Sequence, residues 1–326
     1  MIIERNLGNR SYPAQLLILI GLVGGGLVIV VLLTAVIWLM MVGGSFPSKA
    51  EEILQPKYYN VNMVLQAVST FFIFFFPAYL FAAICYTRPA KFLGFSLRFN
   101  SRQLFLVVAI LIFTFPLAGA LSELNRLFPI PQSWALKFKA METAREAQEA
   151  ALIQINSLPR YILSLFIIAL LPGIFEETFF RGGIQNFLTR WFKGPWVAII
   201  LTSIIFSLIH LSYYGFLVRF GLGIILGLLF YYGGSLWLSI LFHFLFNGIQ
   251  VTILYVVNRN GIKIKDIEKS FPSLMGSIAA GLMGIVALVL LIYLFMQYKQ
   301  ASKIEQAKYI NEPPENNFPD WASNQS

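Results

Sequence analysis

The stretch Leu171-Pro-Gly-Ile-Phe-Glu-Glu-Thr-Phe-Phe-Arg-Gly-Gly183 lies inside an apolar segment running from about Tyr161 to Leu188. Two adjacent carboxylates, Glu176 and Glu177, stand in its middle, and Arg181 follows one helical turn later. An ionisable group in hydrocarbon costs several kcal/mol, so such groups persist where they are partnered or used. Glu177 and Arg181 are spaced i, i+4 and can satisfy each other on one helix face. That pairing leaves Glu176 without a local partner and marks it as a functional candidate.

The surroundings of this stretch set the fold class. Of the 326 residues, 58% are hydrophobic and 12% charged. Apolar runs of about 20 residues recur along the chain, which is the mark of a polytopic helical membrane protein. The expected spans are 16–42, 61–86, 104–121, 161–188, 195–211, 216–232, 236–257 and 274–298. The fold class is therefore all-α, a membrane helical bundle of about eight transmembrane helices. It forms a single membrane domain, 1–326, with a polar N-terminus (1–15), a motif-bearing core (161–257) and a disordered tail (299–326). Pro172 should kink the carboxylate-bearing helix, since proline lacks the N–H that closes the preceding turn. The glycines Gly221, Gly223 and Gly227 permit close helix contacts.

The longest insert, 122–159, reads as an amphipathic helix. Trp134, Phe138, Met141, Ala144, Leu152 and Ile155 fall roughly on one face, with Lys137, Glu142, Glu146 and Glu149 elsewhere. It suits a helix on the membrane surface or over a cavity mouth, and equally a solvated connector. The net charge of +9 does not point to nucleic acid, because the basic residues sit in short inter-helix segments. Arg88, Lys91, Arg98 and Arg102 make one such loop strongly positive, so that loop and both termini are expected on the cytoplasmic side. A single cysteine, Cys85, excludes an intrachain disulfide and a thiolate metal cluster.

Only two histidines occur, and both lie in apolar spans: His210 closes Phe206-Ser-Leu-Ile-His210, and His243 opens His243-Phe-Leu-Phe-Asn247. His243 and Asn247 share a helix face at i, i+4, and a polar pair on a membrane helix must face protein or water. Three spans can thus converge on one polar cavity. Such a cavity suits hydrolysis. A desolvated carboxylate can act as general base, a neighbouring histidine can orient water or protonate a leaving amine, and amide or imidazole N–H groups can hold an oxyanion. Glu176, His210 and His243 could alternatively hold zinc with one open position. No His-Glu-x-x-His and no Gly-x-Ser-x-Gly is present, which removes the common zinc-protease and serine-hydrolase arrangements.

Glu176-Glu177-x-x-x-Arg181, Phe206-x-x-x-His210 and His243-x-x-x-Asn247, in that order, resemble the motif set of the CAAX-protease and bacteriocin-processing (Abi) family of intramembrane proteases. This family includes the Ras-converting type of CAAX prenyl endopeptidase. The resemblance covers about Tyr161–Val257. It implies a helical bundle around a cavity open to membrane and cytosol. It implies that Glu176 activates water with help from His210, that His243 and Asn247 stabilise the oxyanion, and that Glu177 and Arg181 form a supporting pair. It implies a multi-pass plasma-membrane endopeptidase whose partners are the lipid bilayer and a membrane-associated peptide or protein. Zinc stays open as a cofactor. The alternatives are a non-catalytic immunity or scaffold protein of the same family and a proton-coupled transporter; the latter would favour inverted repeats, and none is visible.

Overall fold

The computed structural model describes residues 10–44, 50–97, 99–152, 155–261, 281–282, 284–289 and 291–297. The tail expected to be disordered, 299–326, and most of the polar N-terminus lie outside the described residues. Among those described there is no strand. The main helices are α1 (Tyr12–Met41), α2 (Pro56–Cys85), α3 (Ser101–Leu127), α4 (Gln132–Leu152), α5 (Leu158–Trp191), α6 (Pro195–Ile209), α7 (Phe216–Gly233), α8 (Leu236–Arg259) and α9 (Gly284–Gln297). Six of them, α1, α2, α3, α5, α7 and α8, are long and apolar enough to cross a membrane. Of the two other expected spans, 195–211 corresponds to the shorter apolar helix α6, and 274–298 is described only in part, as α9.

Helix α6 has 15 residues, or about 22 Å of rise against a hydrocarbon core of about 30 Å.

Local signals place the ends. Ser11 caps α1, with Pro13 in the first turn. Asn100 and Gln103 form a reciprocal capping box at the start of α3. Helix α7 ends at Gly234, in the left-handed region at φ 69°, and Ser235 then caps α8.

Helix α5 is the centre of the bundle. It packs on α2, α6, α7 and α8, and α7 packs in turn on α3, α6 and α8. Two stretches of α5 are wound as π-helix: Leu165–Leu170 and Thr178–Gln185. The first ends just before Pro172, where the missing proline N–H would otherwise leave a gap in the α-helical ladder. The second follows directly on Glu176-Glu177 and carries Arg181. Widened turns of this kind are frequent at functional sites.

Small residues set the crossings. Gly173 lies against the backbone of Ile240 and Phe244 on α8, where a Cβ would sit 3.4 Å from both. On α7, Gly223 packs against Ser203 of α6, and Gly227 against Ile199 of α6 and Gln185 of α5. Arg181 donates to the Gly223 carbonyl at 3.2 Å and Gln185 to the Gly227 carbonyl at 2.9 Å. Two side chains one turn apart on α5 thus grip two carbonyls one turn apart on α7; a Cβ at Gly227 would come within 2.7 Å of Gln185 Oε1, and one at Gly223 within 2.8 Å of Ser203 on α6.

Candidate active site

The carboxylate pair divides into a buried member and a more open one. Glu177 and Arg181 are fully buried, whereas Glu176 is half-buried. The Arg181 Nη1 donates to Glu177 Oε1 at 3.0 Å, as the i, i+4 spacing predicts. The guanidinium also lies over the Phe206 ring, 4.7 Å from its centroid.

The same Glu177 oxygen takes a second partner. His243 Nδ1 lies 2.8 Å from it, across from α8. Glu177 is therefore more than half of an ion pair: it joins Arg181 on α5 to the histidine on α8. This contact was not legible in the sequence, which shows the face of each helix but not the depth at which two helices cross. With Nδ1–H given to the carboxylate, the tautomer of His243 is set and Nε2 is left free of that bond.

His210 is placed differently. Helix α6 stops at Ile209, and Leu211 follows in the left-handed region at φ 51°. For a non-glycine residue this conformation is strained and turns the chain sharply. His210 sits between, as the C-cap, and its Nδ1 lies 2.7 Å from the Phe206 carbonyl oxygen. A carbonyl only accepts, so Nδ1 carries the proton and Nε2 keeps its lone pair. The Phe206 ring stands between the two histidines, with centroids 4.9 Å from His210 and 6.3 Å from His243. Phe206 is thus the hub against which both imidazoles and the Arg181 guanidinium pack.

Asn247 lies one turn beyond His243 on α8 and is half-buried. Neither Glu176 nor Asn247 makes a side-chain hydrogen bond among the described residues. The Glu177–Arg181 pair and the Arg219 guanidinium lie close enough for their charges to act on Glu176. Among the described residues no three His, Cys, Asp or Glu side chains are grouped so as to hold a metal ion. Glu176, His210 and His243 as placed do not fit zinc, and no step below runs through a metal.

Two further residues flank the site, neither of them read as part of it from the sequence. Arg219 is the one charged residue of α7 and stands in its first turn. Glu142, on α4, accepts from Ser212 Oγ at 2.7 Å, two residues beyond His210. The α4 helix, of uncertain placement from sequence, therefore docks on the turn after α6. Phe138 stacks on Tyr213 there with centroids 4.6 Å apart, while Trp134 and Met141 of the same expected face remain exposed.

Comparison with known families meets this geometry at one place. Residues 158–249 match the family model described as type II CAAX prenyl endopeptidase, Rce1-like. Those residues are similar to the Rce1-like endopeptidases. The match bears out the resemblance read from the three motifs, and the Rce1-like segment spans α5 to most of α8, holding every residue of the candidate site. No curated protein and no solved structure matches the chain. A CAAX-type membrane endopeptidase family and six membrane-length helices together fit a multi-pass membrane protein.

Proposed function

We propose that the protein is an intramembrane endopeptidase that hydrolyses membrane-associated peptides or proteins with water activated by Glu176. One observation carries this reading. Glu176 is a half-buried carboxylate in the middle of a span, with no hydrogen bond among the described residues, beside a neighbour whose charge is already paired. Glu177 has Arg181 and His243; Glu176 is left for a transient partner.

The chemistry follows from the donors and acceptors present. Glu176 takes a proton from water, and the resulting hydroxide adds to the scissile carbonyl carbon. His210 Nε2, an acceptor in the tautomer fixed by the Phe206 carbonyl, holds the second water proton and orients the attack. The tetrahedral oxyanion is met by the Asn247 amide and by His243 Nε2, which is a donor in the imidazolium form. Glu177 balances that charge and keeps the ring in place. The C–N bond then breaks, and the proton held by Glu176 passes to the leaving amine. Burial of Glu177 and Arg181 holds this frame rigid, which is what a preorganised oxyanion site requires.

The test is cleavage of a lipid-anchored peptide by purified protein in liposomes, with products identified by mass. A peptide such as S-farnesyl Cys-Val-Ile-Ser, extended at its N-terminus by a fluorophore, is a suitable probe for a CAAX-type family. Two new termini from one internal bond are expected. Transport of protons or solute without any cleavage of lipidated or leader-type membrane peptides would contradict the reading.

A further inference from the structure

Arg219 has no role in the frame described above, yet its position is unusual. It lies in the first turn of α7, inside a span, and is half-buried. Its Nη1 is buried without a hydrogen-bond partner, and the guanidinium makes no ion pair among the described residues. The side chain folds back over Gly215; a Cβ there would lie 2.0 Å from Nη1, and 2.9 Å from Ser212 Oγ. That puts the guanidinium at the turn just past His210. Its charge acts on both Glu176 and His210.

The acids nearby do not account for it. Glu142 is hydrogen-bonded by Arg145 and by Ser212 Oγ, and Glu149 is also taken by Arg145. Glu176 is kept for water in the reading above. The helix N–H groups around Arg219 are spoken for as well: Gly215 N donates to Ser212 Oγ and Leu217 N to Asn125 Oδ1. What remains is a guanidinium with a buried, unpartnered Nη1 at the turn that follows His210. Leaving such donors unmade is costly, and guanidinium is matched in shape to a carboxylate, which it can bind through two N–H groups.

We infer that Arg219 binds a carboxylate of the substrate and so positions the peptide across Glu176 and His210. The carboxylate is either the peptide's own C-terminus, a few residues beyond the scissile bond, or an acidic side chain in that region. The inference rests on the endopeptidase reading, and it adds a specificity-determining residue to it. A glycine at 215 fits the same account, since any side chain there would displace the guanidinium.

The experiment uses binding, so that turnover does not confuse it. The Glu176→Gln protein in detergent is titrated with three dansylated S-farnesyl peptides: Cys-Val-Ile-Ser as the free acid, the same peptide as its C-terminal amide, and Cys-Val-Ile-Glu as the amide. A preference for one carboxylate-bearing peptide over the plain amide of about 10 to 100-fold is expected, the size of a charge-assisted contact. Which peptide is preferred identifies the source of the carboxylate. Adding Arg219→Gln should abolish the preference while leaving the affinity for the plain amide unchanged, and Arg219→Lys should restore part of it. Lysine also guards against a folding defect, because it keeps the charge. Equal affinity for all three peptides overturns the role of Arg219 and leaves the endopeptidase reading intact, as does a preference that survives Arg219→Gln. Binding of none of the three counts against both.

Discussion

Replacing Arg181 by methionine removes the positive member of a fully buried pair while keeping most of the side-chain volume. Glu177 Oε1 would keep His243 and lose its 3.0 Å donor. Its Oε2 is already buried without a partner. The 3.2 Å bond that ties α5 to the Gly223 carbonyl goes as well. Breaking one side of a buried charge pair costs about 3–5 kcal/mol because an uncompensated charge stays behind. That corresponds to roughly 10² to 10⁴ in the folding equilibrium. The double variant Arg181→Met/Glu177→Gln removes both charges. It should recover most of the stability, since a neutral replacement of a buried pair is often tolerated, yet it should not recover cleavage, because His243 has lost its carboxylate. The assay is unfolding in detergent by SDS titration, followed by tryptophan fluorescence and by size exclusion after heating, with peptide cleavage on the same samples. An Arg181→Met protein as stable as the parent would refute the reasoning. So would a double variant no more stable than the single one.

Other expectations are more local. His243→Ala and Asn247→Ala should each lower turnover by about 10² to 10³-fold with folding retained, measured on peptide cleavage and thermal unfolding together. Gly182→Ala would bring a Cβ to within 2.6 Å of the Leu93 carbonyl oxygen; overpacking of this kind costs about 1–3 kcal/mol and should appear as lower thermal stability. The docking of α4 should fail in acid. Burial alone would raise the Glu142 carboxyl, but hydrogen bonds from Arg145 and Ser212, with the charges of Arg145 and Arg219, hold it below the usual carboxylate range. A folded value below the unfolded one gives a contribution that is complete at neutral pH and lost as the pH falls through the folded value. Proteolytic cutting within 132–152 should therefore rise only below the ordinary carboxylate range, and Glu142→Gln should show the same cutting at about pH 7. Cutting that rises with alkaline pH would contradict this.

Much of the candidate site was legible because each motif is short and helical. The i, i+4 rule gave Glu177–Arg181 directly, and the same rule put His243 and Asn247 on one face of α8. Apolar runs gave the spans. What the sequence hid depends on how helices cross. The contact between Glu177 and His243 joins positions on α5 and α8 whose relative depth is set by Gly173 against Ile240 and Phe244, and no periodicity encodes it. The shortness of α6 was hidden because His210 and Leu211 continue the apolar pattern; only the left-handed Leu211 ends the helix. The π-wound turns of α5 are likewise invisible to a pattern of 3.6 residues. Arg219 passed unread because one cation near a span end is ordinary; its significance comes from the buried Nη1, which only coordinates reveal.

The central claim is that Glu176 draws the proton from the water that cuts the peptide. The most direct measurement is single-turnover cleavage of a lipidated peptide in H₂¹⁸O by the parent and by folded Glu176→Gln, with products read by mass spectrometry. The account predicts that the parent leaves one ¹⁸O in the new carboxyl terminus, and that Glu176→Gln still binds peptide but cleaves it at least about 10² to 10⁴-fold more slowly. Cleavage by a well-folded Glu176→Gln protein at close to the parent rate would contradict it.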